Sequence, residues 1–105
     1  WGEATDINDS GQVVGWSKLS DTNFRALLWD ADGGMSDLND LLDGSATGWT
    51  LASAEGINNL GQIAGVGFHD GQVRAFLLTP VPEPSSALAV LYGLGGLGGL
   101  TWRRR

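Results

Sequence analysis

Few residues of this 105-residue chain combine the type and spacing that chemistry needs. Asp6-x-Asn8-x-Ser10-Gly11 reproduces the opening half of an oxygen-rich calcium loop, in which alternate side chains offer hard oxygen ligands. The twelfth position of such a loop carries a bidentate acid, and Ser17 stands there instead. Fifty residues on, the matching stretch has Gly56, Asn58 and Leu60, which keeps one ligand of three. The residues shared by both copies are those that build turns, so a turn is expected and calcium is an incomplete alternative. No other cofactor is expected.

His69 is the only histidine and Asp70 follows it. Neighbours on an extended chain point to opposite sides, so the two do not make a base and its orienting acid, and a solvated turn is expected. No Gly-x-Ser-x-Gly or comparable nucleophile setting occurs. The absence of cysteine excludes a disulfide framework, a thiolate zinc site and a thiol nucleophile. Asp30 and Asp32, with Asp37, Asp40 and Asp43, offer the paired carboxylates of glycoside chemistry, but they sit in turns or alternate with leucine. Trp16, Trp29 and Trp49 would stack on sugar rings if exposed together. The counterparts of Trp16 and Trp29 in the second half are Val66 and Leu78, which makes packing the expected role. No catalytic residue is expected.

That correspondence is an internal repeat. "ATDINDSGQVVG" at 4–15 aligns with "AEGINNLGQIAG" at 54–65, and "RALLWD" at 25–30 with "RAFLLT" at 74–79, so one residue is lost from the intervening loop. The shared turn residues are Asn8, Gly11 and Gly15 in the first unit and Asn58, Gly61 and Gly65 in the second. Asparagine bonds its own backbone in a turn, and glycine takes positive φ without steric cost. β-Branched and apolar runs flank each turn, which predicts three to four short antiparallel strands per unit of about 50 residues. "MSDLNDLL" is a fourth segment, strand or short helix. Arg25 and Arg74 hold equivalent places, which suggests a repeated structural ion pair.

The pattern Ile-Asn-x-x-Gly-Gln-[Val/Ile]-x-Gly, followed by Arg-Ala-[Leu/Phe]-Leu, resembles the HAF family of bacterial extracellular repeats across residues 1–79. Arg25 and Arg74 replace that family's histidine, and Leu27 replaces its phenylalanine once. The resemblance implies a secreted or surface protein of all-β, propeller-like blades. The domain layout read this way is unit 1–50 and a second, incomplete unit 51–79. The chain is then the end of a longer array whose N-terminal part supplies the missing fourth strand of the last blade.

Beyond Thr79 the character changes. Pro80, Pro82 and Pro84 end the last strand and hold the chain extended, making residues 80–86 a Pro/Ser linker. Ser85 to Trp102 carries no charge. A helix of that length spans roughly 27 Å at about 1.5 Å per residue, just enough for a thin bilayer, and a transmembrane helix over 87–102 is expected. Trp102 then sits at the interface, and Arg103, Arg104 and Arg105 mark the cytoplasmic side. The order Val81-Pro82-Glu83-Pro84-Ser85, uncharged span and arginine cluster resembles the PEP-CTERM sorting signal. The resemblance implies a Gram-negative exported protein, held briefly in the inner membrane, cut near Pro82-Glu83-Pro84 by an exosortase-type protease and delivered to the cell surface or matrix.

Charge agrees with that division. Twelve acids against Lys18, Arg25 and Arg74 leave −9 on residues 1–84, whereas the terminal arginines carry +3. An acidic body excludes a nucleic-acid surface, which needs clustered cations. The expected function is a non-enzymatic surface repeat protein that binds a partner or matrix polysaccharide. The alternative is the C-terminal part of a propeller-type extracellular glycan hydrolase whose active site lies outside this chain.

Overall fold

The computed structural model describes residues 1–81 and 98–102. They form two four-stranded sheets. The first holds β1 (Gly2–Ile7), β2 (Val13–Ser20), β3 (Asn23–Asp30) and β4 (Gly34–Asp37) in sequential order. The second holds β5 (Trp49–Ile57), β6 (Ile63–His69), β7 (Gln72–Pro80) and β8 (Gly98–Trp102). Pairing is antiparallel throughout except for β7 with β8, which is parallel. The all-β expectation stands, as two sheets, the second of them mixed. "MSDLNDLL" divides: Gly34–Asp37 is strand, and Leu38–Leu41 is a short 3-10 turn capped by the Asp37 carboxylate.

Each β1–β2 and β5–β6 corner is built by one asparagine. Asn8 Oδ1 accepts from the amides of Ser10 and Gln12 at 3.1 and 3.0 Å, and Asn58 Oδ1 from Leu60 and Gln62 at 3.0 and 2.9 Å. Gly11 and Gly61 close the corners at φ +77° and +80°, where a side chain is strained. Gly15 and Gly65 are not turn residues, contrary to expectation. They lie inside β2 and β6, where the chain crosses the bulged β1 and β5 at close range. A Cβ on Gly65 would stand 2.1 Å from the Ser53 carbonyl oxygen and 2.6 Å from the Phe76 ring.

The residue lost between the repeats is a bulge, not loop length. Lys18 pairs with Phe24 and Ser20 with Asn23, leaving Leu19 extra in β2. In the second unit Phe68 pairs with Val73 and His69 with Gln72 without interruption. Asp70 and Gly71 make that two-residue hairpin at φ +52° and +80°, the backbone twist that matches flanking strands.

Strand alternation gives every sheet two faces. Val13, Leu27, Trp29 and Met35 share the front of the first sheet, and register places Ile63, Phe76, Leu78 and Leu100 on the equivalent front of the second. Val14, Ala26 and Leu28 form the back of the first sheet. They join Leu51, Ala54, Ile63, Phe76, Leu78 and Leu100 in one buried core, so the back of one sheet covers the front of the next. Trp29 was expected in a core because Leu78 is its counterpart. Leu78 is fully buried, but Trp29 is 41% exposed, because among the described residues no sheet stacks on the front of the first.

Gly65→Ala should therefore lower stability by about 3 kcal/mol, since backbone must shift to admit the methyl. Gly11→Ala, with nothing within 4 Å of the new methyl, should cost about 1 kcal/mol for the positive φ alone. Urea midpoints of the two variants test that order.

Candidate functional site

Chemistry and sorting were expected at different ends of the chain, and the structure treats them differently. The calcium-like residues are occupied by their own fold. Asp6 Oδ2 accepts the Ile57 amide at 2.9 Å and Asp6 Oδ1 accepts the Ile7 amide at 2.9 Å. These two bonds, the Ile57 one foremost, hold the Asp6 carboxyl below the ordinary value of 3.8. Asn8 Nδ2 donates to the Asn58 carbonyl at 3.0 Å, and Thr5 Oγ1 donates to the Ala54 carbonyl at 2.6 Å. Asp9 and Asn59 exchange two bonds of 2.8 Å. Asp6 and Asn8 thus spend their oxygens on backbone amides and the seam between the two sheets. Among the described residues no group of three or more acids or histidines is arranged to hold a metal.

Of the remaining candidates His69 and Asp70 come together, contrary to expectation, because Asp70 lies in a turn at φ +52° and not on an extended strand; the others are dispersed. His69 stacks on Trp49 with ring centroids 5.0 Å apart, and its Nε2 lies 3.7 Å from Asp70. Asp30 accepts the amides of Asp32 and Gly33, Asp37 caps the 3-10 turn, and Asp43 caps a second one at Gly44–Ala46. Asp30, Asp37 and Asp43 thus act as caps and turn formers. Arg25 meets Asp37 at 3.7 Å, as a structural pair requires, whereas Arg74 hydrogen-bonds Gln72, so among the described residues the ion pair is not repeated. Trp16 sits between Trp1 and Phe24, at 5.2 and 5.9 Å, and Trp49 packs on Phe76. Trp16 and Trp29 line one hollow with Trp1, but Trp49 lies apart against His69, so the three do not form one sugar platform.

Of the sorting segment, Pro82–Ser85, the rest of 82–97 and Arg103–Arg105 lie outside the described residues. The part that is described departs from the expected span. Gly98–Trp102 is a strand, and among the described residues no helix is long and apolar enough to cross a membrane. β8 also fills the fourth place in the second sheet, which had been assigned to an N-terminal segment. Trp102 is not at an interface: it is 5% exposed, and its Nε1 donates to the Gly61 carbonyl at 3.2 Å. The Val81 amide donates to the Trp102 carbonyl at 2.8 Å, and Leu42 bridges Trp102 from the other side. Thr101 is buried and bonded to Asp43 and Ser45 beside the Gly44–Ala46 turn. Alternate residues Leu100 and Trp102 join the core. An uncharged Gly/Leu run reads equally as span or buried strand, and only the β7 edge decides between them here.

Residues 80–105 match the PEP-CTERM protein-sorting motif. The match supports an exported protein sorted by exosortase, and it covers the segment to which the proline and arginine pattern pointed. No curated protein and no solved structure matches the chain.

Two outcomes follow. Trp102→Ala should reduce the stability of the chain in aqueous buffer by about 3 kcal/mol, as for other buried large-to-small changes, measured by urea unfolding. Asp6→Ala should lower the melting temperature at neutral pH. Because the folded carboxyl is depressed, its contribution is present above the unfolded pKa and lost as pH falls through the folded value. The gap between wild type and variant should close below about pH 3.9, read from melts across that range.

Proposed function

We propose that this chain is a non-enzymatic β-repeat protein of the bacterial surface or exopolysaccharide matrix. Its repeats are of the HAF type, stacked in the propeller-like manner, and the C-terminal segment serves as a cleavable sorting signal. The carrying observation is the sorting-motif match at residues 80–105. In this reading Val81-Pro82-Glu83-Pro84-Ser85 is presented to an exosortase-type protease, residues 87–102 are held in the inner membrane of a Gram-negative cell, and Arg103–Arg105 stay cytoplasmic. A non-enzymatic role is supported by what four of the candidate carboxylates do: Asp30, Asp37 and Asp43 cap turns, and Asp6 ties the two sheets.

Membrane passage requires β8 to leave β7. The exchange is chemically reasonable, because Leu100 and Trp102 trade an apolar core for lipid and interface. The backbone must then exchange ladder bonds for helical ones, since no amide can stay unsatisfied in hydrocarbon.

Intact mass of the surface-released protein, from native cells and from a strain lacking the sorting protease, tests the reading. Loss of the segment beyond Pro84 only where the protease is present is expected. A released protein that keeps Arg105 in both strains would overturn it.

A further inference from the structure

The two sheets are not related face to face as mirror partners. The back of the first covers the front of the second, so each unit has a donor face and an acceptor face, and among the described residues one of each is left uncovered. The open acceptor is the front of the first sheet. Val13, Leu27, Trp29 and Met35 line a hollow of about 290 Å³ there, together with Trp1 and Trp16. Their counterparts Ile63, Phe76, Leu78 and Leu100 are the residues that the first sheet buries.

The open donor is the back of the second sheet. Pairing of Ala64 with Leu77, Val66 with Ala75 and Phe68 with Val73 sets six apolar side chains on one face without a charge. Val66, Phe68 and Val73 are 38%, 43% and 63% exposed. Their counterparts on the first sheet include Val14, Ala26 and Leu28, the three residues that fill the internal seam.

We infer that a second copy of this chain docks on the first head to tail, its Ala64–Val66–Leu77 face covering the Val13–Leu27–Trp29–Met35 face. The internal seam is the template that selects this occupant. The same backbone, with the same glycine at the close crossing, already presents each face to the other once. One element of the polar stitching carries over as well: Asn58 stands where Asn8 does, whereas Asp9 and Asn59 are already bonded to each other in the internal seam. Glu55 and Gly56 replace Thr5 and Asp6, so two tethers are missing. Association between copies is therefore weaker than the internal seam and varies with concentration. The contact is heterologous, so it propagates until a ring closes or a filament grows. This inference is independent of the sorting signal.

Sedimentation of the intact chain from about 1 μM to about 500 μM covers the range where such contacts show. The wild type should rise past dimer mass. Trp29→Glu spoils only the acceptor face, and Val66→Glu only the donor face; both side chains are exposed in the single copy. Each variant alone should weaken association at least tenfold, with unchanged circular dichroism. An equimolar mixture should form a dimer and stop there, because one intact face of each kind remains. Complementation by the mixture also proves that both variants fold. A wild type that stays monomeric at every concentration would overturn the inference and leave the open face to a further repeat of one chain. Single variants that associate like wild type, or a mixture that remains monomeric, would overturn it too.

Discussion

The seam between the two sheets is the constraint on which the rest of the structure depends. Four-stranded sheets of this size cannot keep both faces in water and remain folded, because a lone sheet buries too little apolar surface to offset ordering its chain. Val14, Ala26 and Leu28 supply the first sheet's share of the cover, and Leu51, Ile63, Phe76 and Leu78 receive it. The polar corner beside it keeps the two sheets in register. Thr5, Asp6, Asn8 and Asp9 all reach across to the second unit's matching segment, at sequence separations of 49 to 51 residues. Those polar bonds fix where one sheet sits on the other.

Much of this arrangement is legible in the chain before folding. The alignment at offset 50 locates both asparagine corners, and the apolar runs locate β2, β3, β6 and β7 where they occur. Equivalence in sequence does not carry equivalence in burial, however. Trp29 and Leu78 occupy one place in the repeat, yet only the second has a neighbour, and a neighbour is a tertiary fact. Gly15 and Gly65 read as turn residues because turns and close crossings both select glycine. The crossing depends on bulges in β1 and β5, which leave no mark that single-sequence reasoning detects.

Residues 98–102 were harder still. Their Gly-Gly-Leu-Thr-Trp composition has neither the alternation of an exposed strand nor the length that would settle a helix. Leu100, Thr101 and Trp102 gain their places from β7, from Ser45 and from the Gly61 carbonyl, partners far away in sequence. The polar residues tell the opposite story. Asp6-x-Asn8-x-Ser10 has the spacing of a cation loop, and the same short side chains at the same spacing also satisfy turn amides. Which use prevails depends on whether the carboxylate is free. At Asp6 the Ile57 amide has already claimed it.

The parallel pairing of β8 with β7 gives the second sheet a distinctive timetable. Hairpins such as β6–β7 close over two residues, within microseconds of both strands being available. A parallel partner has to return along a long connection, here residues 82–97, and contacts of that separation form late. Until they form, the outer edge of β7 offers unpaired amides and carbonyls, along with the slot that Leu100 and Trp102 come to fill. Without β8 the second sheet holds three strands and has an open side. A membrane, a chaperone or another strand that reaches that edge first competes with β8 on rate as well as on affinity.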